Sequence, residues 1–237
     1  MTVYRSANAS SATGVTGPSV FRILHVCVAN QCRSPIAERL TSHHLSDQVP
    51  ARPESWAVTS AGIEAANGAP MHQYATGVLT AAGIDADGFT AQRLTDSMID
   101  NADLVLAATA AVRDIVIAKA PAVLPITFTL REFARLAGAV APTSPANPAN
   151  PASPASPTSP AELAGQLTPA GTPARARAMV ALARRARGRV PFVEPADDDI
   201  DDPQRTVAAF EQCAATTGAA VATIVAALTG AAAGTHR

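Results

Sequence analysis

The chain has 237 residues, 48% of them apolar and 16% charged, which suits one α/β domain with tails or two small domains. Eighteen basic residues against nineteen acidic ones leave a net charge of −1, so no global field draws the protein to nucleic acid or to an anionic membrane. Three cysteines speak against a disulfide framework, and neither a leader-like start nor an unbroken apolar stretch of about 18 residues is visible, so a cytoplasmic protein without a membrane span is expected.

Residues 1–19 are small and polar and read as a disordered N-terminal tail. A β-prone run over 20–26 opens the ordered part, and a helix follows from 35 to 45, with Ser34 as its cap and Pro35 in its first turn. Further on, 56–60 reads as a strand, 74–82 as a helix stopped by Gly83, and 95–101 as a short helix. A buried strand at 103–108, a helix at 110–119, a strand at 123–128 and a helix at 130–137 complete the alternation. Strands alternating with helices predict an α/β fold, a small doubly wound four-stranded parallel sheet with helices on both faces. Such sheets bind ligands at the carboxyl ends of their strands.

The alternation stops at a Pro/Ala/Ser-rich insertion, 139–172. From Pro142 to Pro160 a proline recurs every third residue, which excludes helix and sheet and matches the polyproline II period. The plain reading is a semi-rigid surface insertion; the sharper one is a ligand, over 142–160, for a proline-recognising partner. A helix from Pro173 to Arg187 and a last helix over 205–228 follow, so a single domain spans 20–138 and 173–230, with a C-terminal tail at 231–237. Six arginines between Arg175 and Arg189 precede six acids between Glu194 and Asp202, and are expected to face them or to sit in solvent. Cys213, on the last helix, is expected in the core, and His43, His44 and His72 form no ligand set.

The chemistry concentrates in Val26-Cys27-Val28-Ala29-Asn30-Gln31-Cys32-Arg33-Ser34-Pro35, which leaves the first strand and enters the first helix. Backbone N–H groups of Val28, Ala29, Asn30, Gln31 and Cys32 can turn inward at a helix N-terminus and cradle an anion, a phosphate-binding loop. Arg33 offers a planar fork for two phosphate oxygens, and Cys27 can place a thiolate below them, stabilised by the dipoles, by Arg33 and by the Ser34 hydroxyl. The plain alternative makes Cys27 and Cys32 small buried hydrophobes. A zinc site on His25, Cys27 and Cys32 fits poorly because no second ligand pair follows, and the glycines and lysine of a nucleotide P-loop are missing.

This segment resembles the active-site loop of the low-molecular-weight protein tyrosine phosphatases, bacterial type, with Ser60-Ala61-Gly62, the strand at 102–106 and Asp202-Pro203 extending the likeness. The resemblance implies a cysteine-dependent phosphomonoester hydrolase, a protein (tyrosine) phosphatase working through a cysteinyl-phosphate intermediate and needing no cofactor or metal. Its substrate would be a phosphorylated protein or a small phosphomonoester. Cys27 would be the nucleophile, Arg33 the phosphate clamp and Asp202 the general acid, with Asp201 the runner-up. Ser34 would stabilise the thiolate, Asn30 shape the loop, and Ser60 support Asn30. Two departures stand out: Ala29 replaces a glycine, and Gln204 and Arg205 follow Asp202-Pro203 where the family often has an aromatic residue. Rival readings are a thiol-coupled arsenate reductase of the same fold, which needs further relay cysteines, and a non-catalytic phosphate-binding module. Peroxide would also be expected to join Cys27 to Cys32.

Overall fold

The computed structural model describes residues 20–141, 169–191, 193–203 and 206–230. The N-terminal tail, the proline tract, Gln204, Arg205 and the C-terminal tail lie outside the described residues. Strands β1 (Phe21–Cys27), β2 (Trp56–Gly62), β3 (Leu104–Ala107) and β4 (Thr127–Thr129) form one parallel sheet in the order β2-β1-β3-β4. Because the chain leaves β1 in opposite directions along the sheet, to β2 and then to β3, the carboxyl end of β1 lies at the switch point of the fold.

Helices α1 (Arg33–Gln48), α2 (Gln73–Ala81), α3 (Asp96–Asp100), α4 (Ala110–Lys119), α5 (Leu130–Val140), α6 (Pro173–Ala186) and α7 (Val207–Thr229) cover the sheet. The period of two in β1 divides the core. Phe21 and Ile23 point to the layer built with Ile36, Phe133, Met179 and Val225, whereas Leu24 and Val26 point to the layer built with Ile99, Val112 and Val116. Helix α7 is 23 residues with a mean hydropathy of 1.4, long and apolar enough to cross a membrane; half of that window is buried inside the domain against α1, α5 and α6.

Three local outcomes depart from the sequence reading. Helix α1 begins two residues early, with Cys32 rather than Ser34 at its N-cap and no side-chain capping bond, because the Ser34 hydroxyl is turned back toward Cys27. The run expected as a strand over 123–128 is mostly a 3₁₀ turn, Pro121–Ile126, since Pro125 withholds a ladder donor; only Thr127–Thr129 pairs. The basic helix does not face the acidic run: Arg177 pairs with Asp103 and Arg187 with Glu132, while Asp198 pairs with Arg135.

Candidate active site

The loop after β1 is held by its acceptors. The carbonyls of Cys27, Val28 and Gln31 receive the N–H groups of Ile63, Glu64 and His72 at 3.0, 2.9 and 2.8 Å, and Cys32 O receives Ile36 N at 3.0 Å. With these four carbonyls engaged, the loop's remaining amide donors are the groups an anion can use. Asn30 sits at φ 54°, a left-handed position that Asn tolerates better than other side chains. Ala29 is not at positive φ, so replacing glycine there brings no strain. Gly62, paired with Cys27 in the sheet, lies under the loop: a Cβ on it would come within 2.5 Å of Val28 O and 2.7 Å of Asn30 N.

The Cys27 sulfur accepts the Asn30 N–H at 3.2 Å and the Ser34 hydroxyl at 3.0 Å, so two donors are aimed at a thiolate at this position. Fully buried Asn30 donates through Nδ2 to Ser34 Oγ at 2.9 Å and to Ser60 Oγ at 2.8 Å, while its Oδ1 accepts Gln92 N at 2.8 Å. Ser60 then donates to Glu38 Oε2 at 2.5 Å. Burial pushes the Glu38 carboxyl up, and the Ser60 bond and the nearby Arg39 charge partly offset that rise. The chain Glu38–Ser60–Asn30–Ser34–Cys27 therefore runs without a break from α1 through β2 to the thiol, and fixes the rotor of each hydroxyl on the way.

Arg33 is 8% exposed, and its guanidinium reaches the segment ahead of α7. One Nη donates to Ile200 O at 3.3 Å and the other lies 2.9 Å from Asp202 Oδ1. The six acids are thus not one solvated run. Asp198 is buried against Arg135 at 2.6 Å, Asp199 accepts Ala110 N at the start of α4 at 2.6 Å, and Ile200 N donates to Ala108 O. These contacts hang Asp201 and Asp202 at the mouth of the loop, where Asp202 meets Arg33 and its side chain is 74% exposed.

Cys27, Asn30, Arg33, Ser34, Ser60 and Asp202 are accordingly brought together, with Val28, Ala29, Gln31 and Cys32 forming the loop around them. Gln204 and Arg205, which follow Pro203, lie outside the described residues. Sequence reasoning missed Glu38, Gln92 and Gly62's steric role, whereas Cys213 is buried in the core as expected. The missed residues stand 11 to 65 positions from Cys27, and no local pattern marks such a meeting. His25, the weak candidate metal ligand of the sequence, is a neutral core histidine, with Nε2 3.0 Å from Thr41 Oγ1 and burial lowering its pKa from 6.5 to about 3.

Comparison with known proteins addresses the family of the chain. The family model for low molecular weight phosphotyrosine protein phosphatase matches residues 22–139. A Ralstonia nicotianae protein named "Probable low molecular weight protein-tyrosine-phosphatase EpsP" is 37% identical over 110 residues, 46% of this chain and 70% of the relative. The protein-arginine-phosphatase of Geobacillus stearothermophilus is 38% identical over 113 residues, 48% of this chain and 71% of the relative. The crystal structure of the tyrosine phosphatase AmsI from Erwinia amylovora superposes with a TM-score of 0.56 at 22% identity, over 90% of this chain and 97% of that one, and so shares the fold. With the loop, the sheet order and these relatives in agreement, the chain belongs to the low-molecular-weight protein-tyrosine-phosphatase family, whose members are cysteine-dependent hydrolases.

Proposed function

We propose that the protein removes phosphate from phosphorylated protein side chains, with Cys27 as nucleophile, Arg33 as phosphate clamp and Asp202 as general acid. The observation that carries this reading is one thiol that receives two hydrogen-bond donors in a loop that ends at a buried arginine, itself paired with an exposed carboxylate. A phosphate seated in the loop takes the Arg33 fork through two oxygens and displaces Asp202 from it. Cys27 Sγ attacks phosphorus, the P–O bond to the leaving group breaks, and Asp202 delivers a proton to the departing oxygen. Water then attacks the cysteinyl phosphate, giving its proton to Asp202 and returning the thiolate. Charge on the equatorial oxygens is met throughout by Arg33 and the loop N–H groups.

Hydrolysis of an aryl phosphate by wild type and Cys27→Ser, side by side, tests the assignment. Turnover by wild type and its loss in the variant support it, and equal rates overturn it. Phosphotyrosine and phosphoarginine peptides in the same assay read out the substrate class. Arsenate with a thiol donor tests the reductase reading, and phosphate binding without turnover would instead favour the regulatory module.

A further inference from the structure

A 3₁₀ turn, Pro195–Asp198, leads into the segment that carries Asp201 and Asp202, both of which are exposed. The place of that segment is set by the helices beside it. Phe133, Leu136 and Ala137 give α5 its buried side, and Arg131 and Arg135, four residues apart, share another. Arg135 donates to both oxygens of the buried Asp198 carboxylate, from Nη2 to Oδ2 at 2.6 Å and from Nε to Oδ1 at 3.5 Å. Arg131 Nη1 donates to Asp199 O at 3.1 Å. From the other side, Ala110 N of α4 donates to Asp199 Oδ1 at 2.6 Å, and Ile200 N donates to Ala108 O at 2.8 Å. The base of this clasp is firm, because the Thr129–Glu132 capping box fixes the first turn of α5. Asp202 stands two residues beyond Ile200, and two extended residues reach only about 7 Å.

We propose that Arg135 is a positioning residue for proton transfer, which acts through Asp198 to hold the Asp202 carboxyl over the departing oxygen. The proposal rests on Asp202 as the general acid. A buried ion pair adds little net stability once its desolvation is counted, but a fork that takes both oxygens admits one geometry. Asp198 is thereby fixed in rotation as well as in place, and the next four residues start from a defined point. Arg131 and the first turn of α4 then carry the register to Ile200, whose carbonyl meets the phosphate clamp Arg33 at 3.3 Å. Arg135 takes no part in seating phosphate. It works on the step in which a misplaced carboxyl is costly, protonation of a poor leaving group.

The test compares kcat/KM for phenyl phosphate, a poor leaving group, with that for dinitrophenyl phosphate, which departs with little help. In Arg135→Met and in Asp198→Ala, phenyl phosphate is expected to lose about 10- to 100-fold and dinitrophenyl phosphate less than about threefold. Inorganic phosphate should inhibit both variants no more weakly than wild type. Arg135→Lys, which keeps the charge without the fork, should recover part of the loss. Added to Asp202→Asn, neither change should slow phenyl phosphate further, because the carboxyl being positioned is already gone. Equal losses on the two substrates, losses that multiply with Asp202→Asn, or wild-type kinetics in both single variants overturn the proposal and leave Asp202 in its role. Asp202→Asn that shows no leaving-group dependence of its own overturns the general-acid reading, and the proposal with it. Should the single variants fail to fold, Arg135→Met combined with Asp198→Leu, which buries no unpaired charge, gives the same readout.

Discussion

At Cys27 a serine would keep the same donors, Ser34 Oγ and Asn30 N, and still lose the reaction, because those donors cannot make an alkoxide of a hydroxyl. Cys27→Ser is therefore expected to fold, to bind phosphate and to show background turnover in an aryl phosphate assay. Arg33→Lys keeps the charge and discards the fork, and a loss of about 10²–10³-fold in kcat is expected; wild-type rates in that variant would remove the clamp from the mechanism. Asp202→Asn should slow hydrolysis of poor leaving groups, such as tyrosyl phosphate, by about 10²–10⁴-fold, and activated aryl phosphates by much less. Asp201→Asn should change both rates only modestly. If the leaving-group dependence follows Asp201 instead, the neighbouring carboxylate is the donor.

Helix α1 shows how far local pattern carries and where it stops. The strand, the turn and the Ser-Pro helix start are all local signals, and they locate the loop correctly. They misplace Ser34 as the cap of α1, because its hydroxyl is held toward the thiol by Asn30 of the same loop, which is itself fixed by Ser60 from β2. The same holds for Gly62, whose role is set by the loop backbone that a Cβ there would strike rather than by its own conformation. Gly62→Ala has no flexible neighbour to displace, so the loop itself must shift. A stability loss of about 1–3 kcal/mol is expected, together with loss of the thermal stabilisation that phosphate gives wild type. Across the β1–α1 contact, His25 is held neutral: the folded protein excludes, down to about pH 3, a proton that the unfolded chain binds below about 6.5. Its contribution is therefore complete above pH 6.5 and is lost progressively toward pH 3, at about 1.4 kcal/mol per pH unit. His25→Leu should flatten the dependence of unfolding free energy between pH 6.5 and 5, and an unchanged slope there would assign the proton elsewhere.

Across the whole molecule, the alternation of strands and helices is readable because the central strands β1 and β3 are short apolar runs bounded by turn residues. What was not readable is how the chain beyond the proline tract closes the core. Helix α6 does this with one arginine: Arg187 pairs with Glu132 at 2.8 Å, donates to Thr127 O at 2.7 Å and lies 4.0 Å over the Phe128 ring. Glu132 is also the capping-box acid of α5, so one ion pair joins α6, β4 and α5. Arg187→Ala leaves a largely buried carboxylate short of its main partner, and a cost of about 2–4 kcal/mol is expected, seen as a fall in Tm of about 5–12 °C. A shift of less than about 2 °C would mean that Arg113, 3.8 Å from the same carboxylate, takes over the pairing.

The contact between Arg33 and Asp202 makes the site its own competitor. An intramolecular carboxylate occupies the fork that phosphate requires, and every anion that enters must first evict it. Apparent affinity falls by the fraction of time the fork is open, for product as well as for substrate. The two are not penalised alike in outcome: eviction by substrate frees Asp202 for proton delivery, whereas eviction by inorganic phosphate achieves nothing and only opposes its retention. Since the Asp202 carboxylate is 74% exposed, solvent screens the pair to about 1 kcal/mol or less, and the handicap is at most about fivefold, enough to hasten release and too little to exclude substrate. Asp202→Asn should therefore hold inorganic phosphate more tightly, by up to about fivefold in inhibition constant, in the same variant that turns over more slowly.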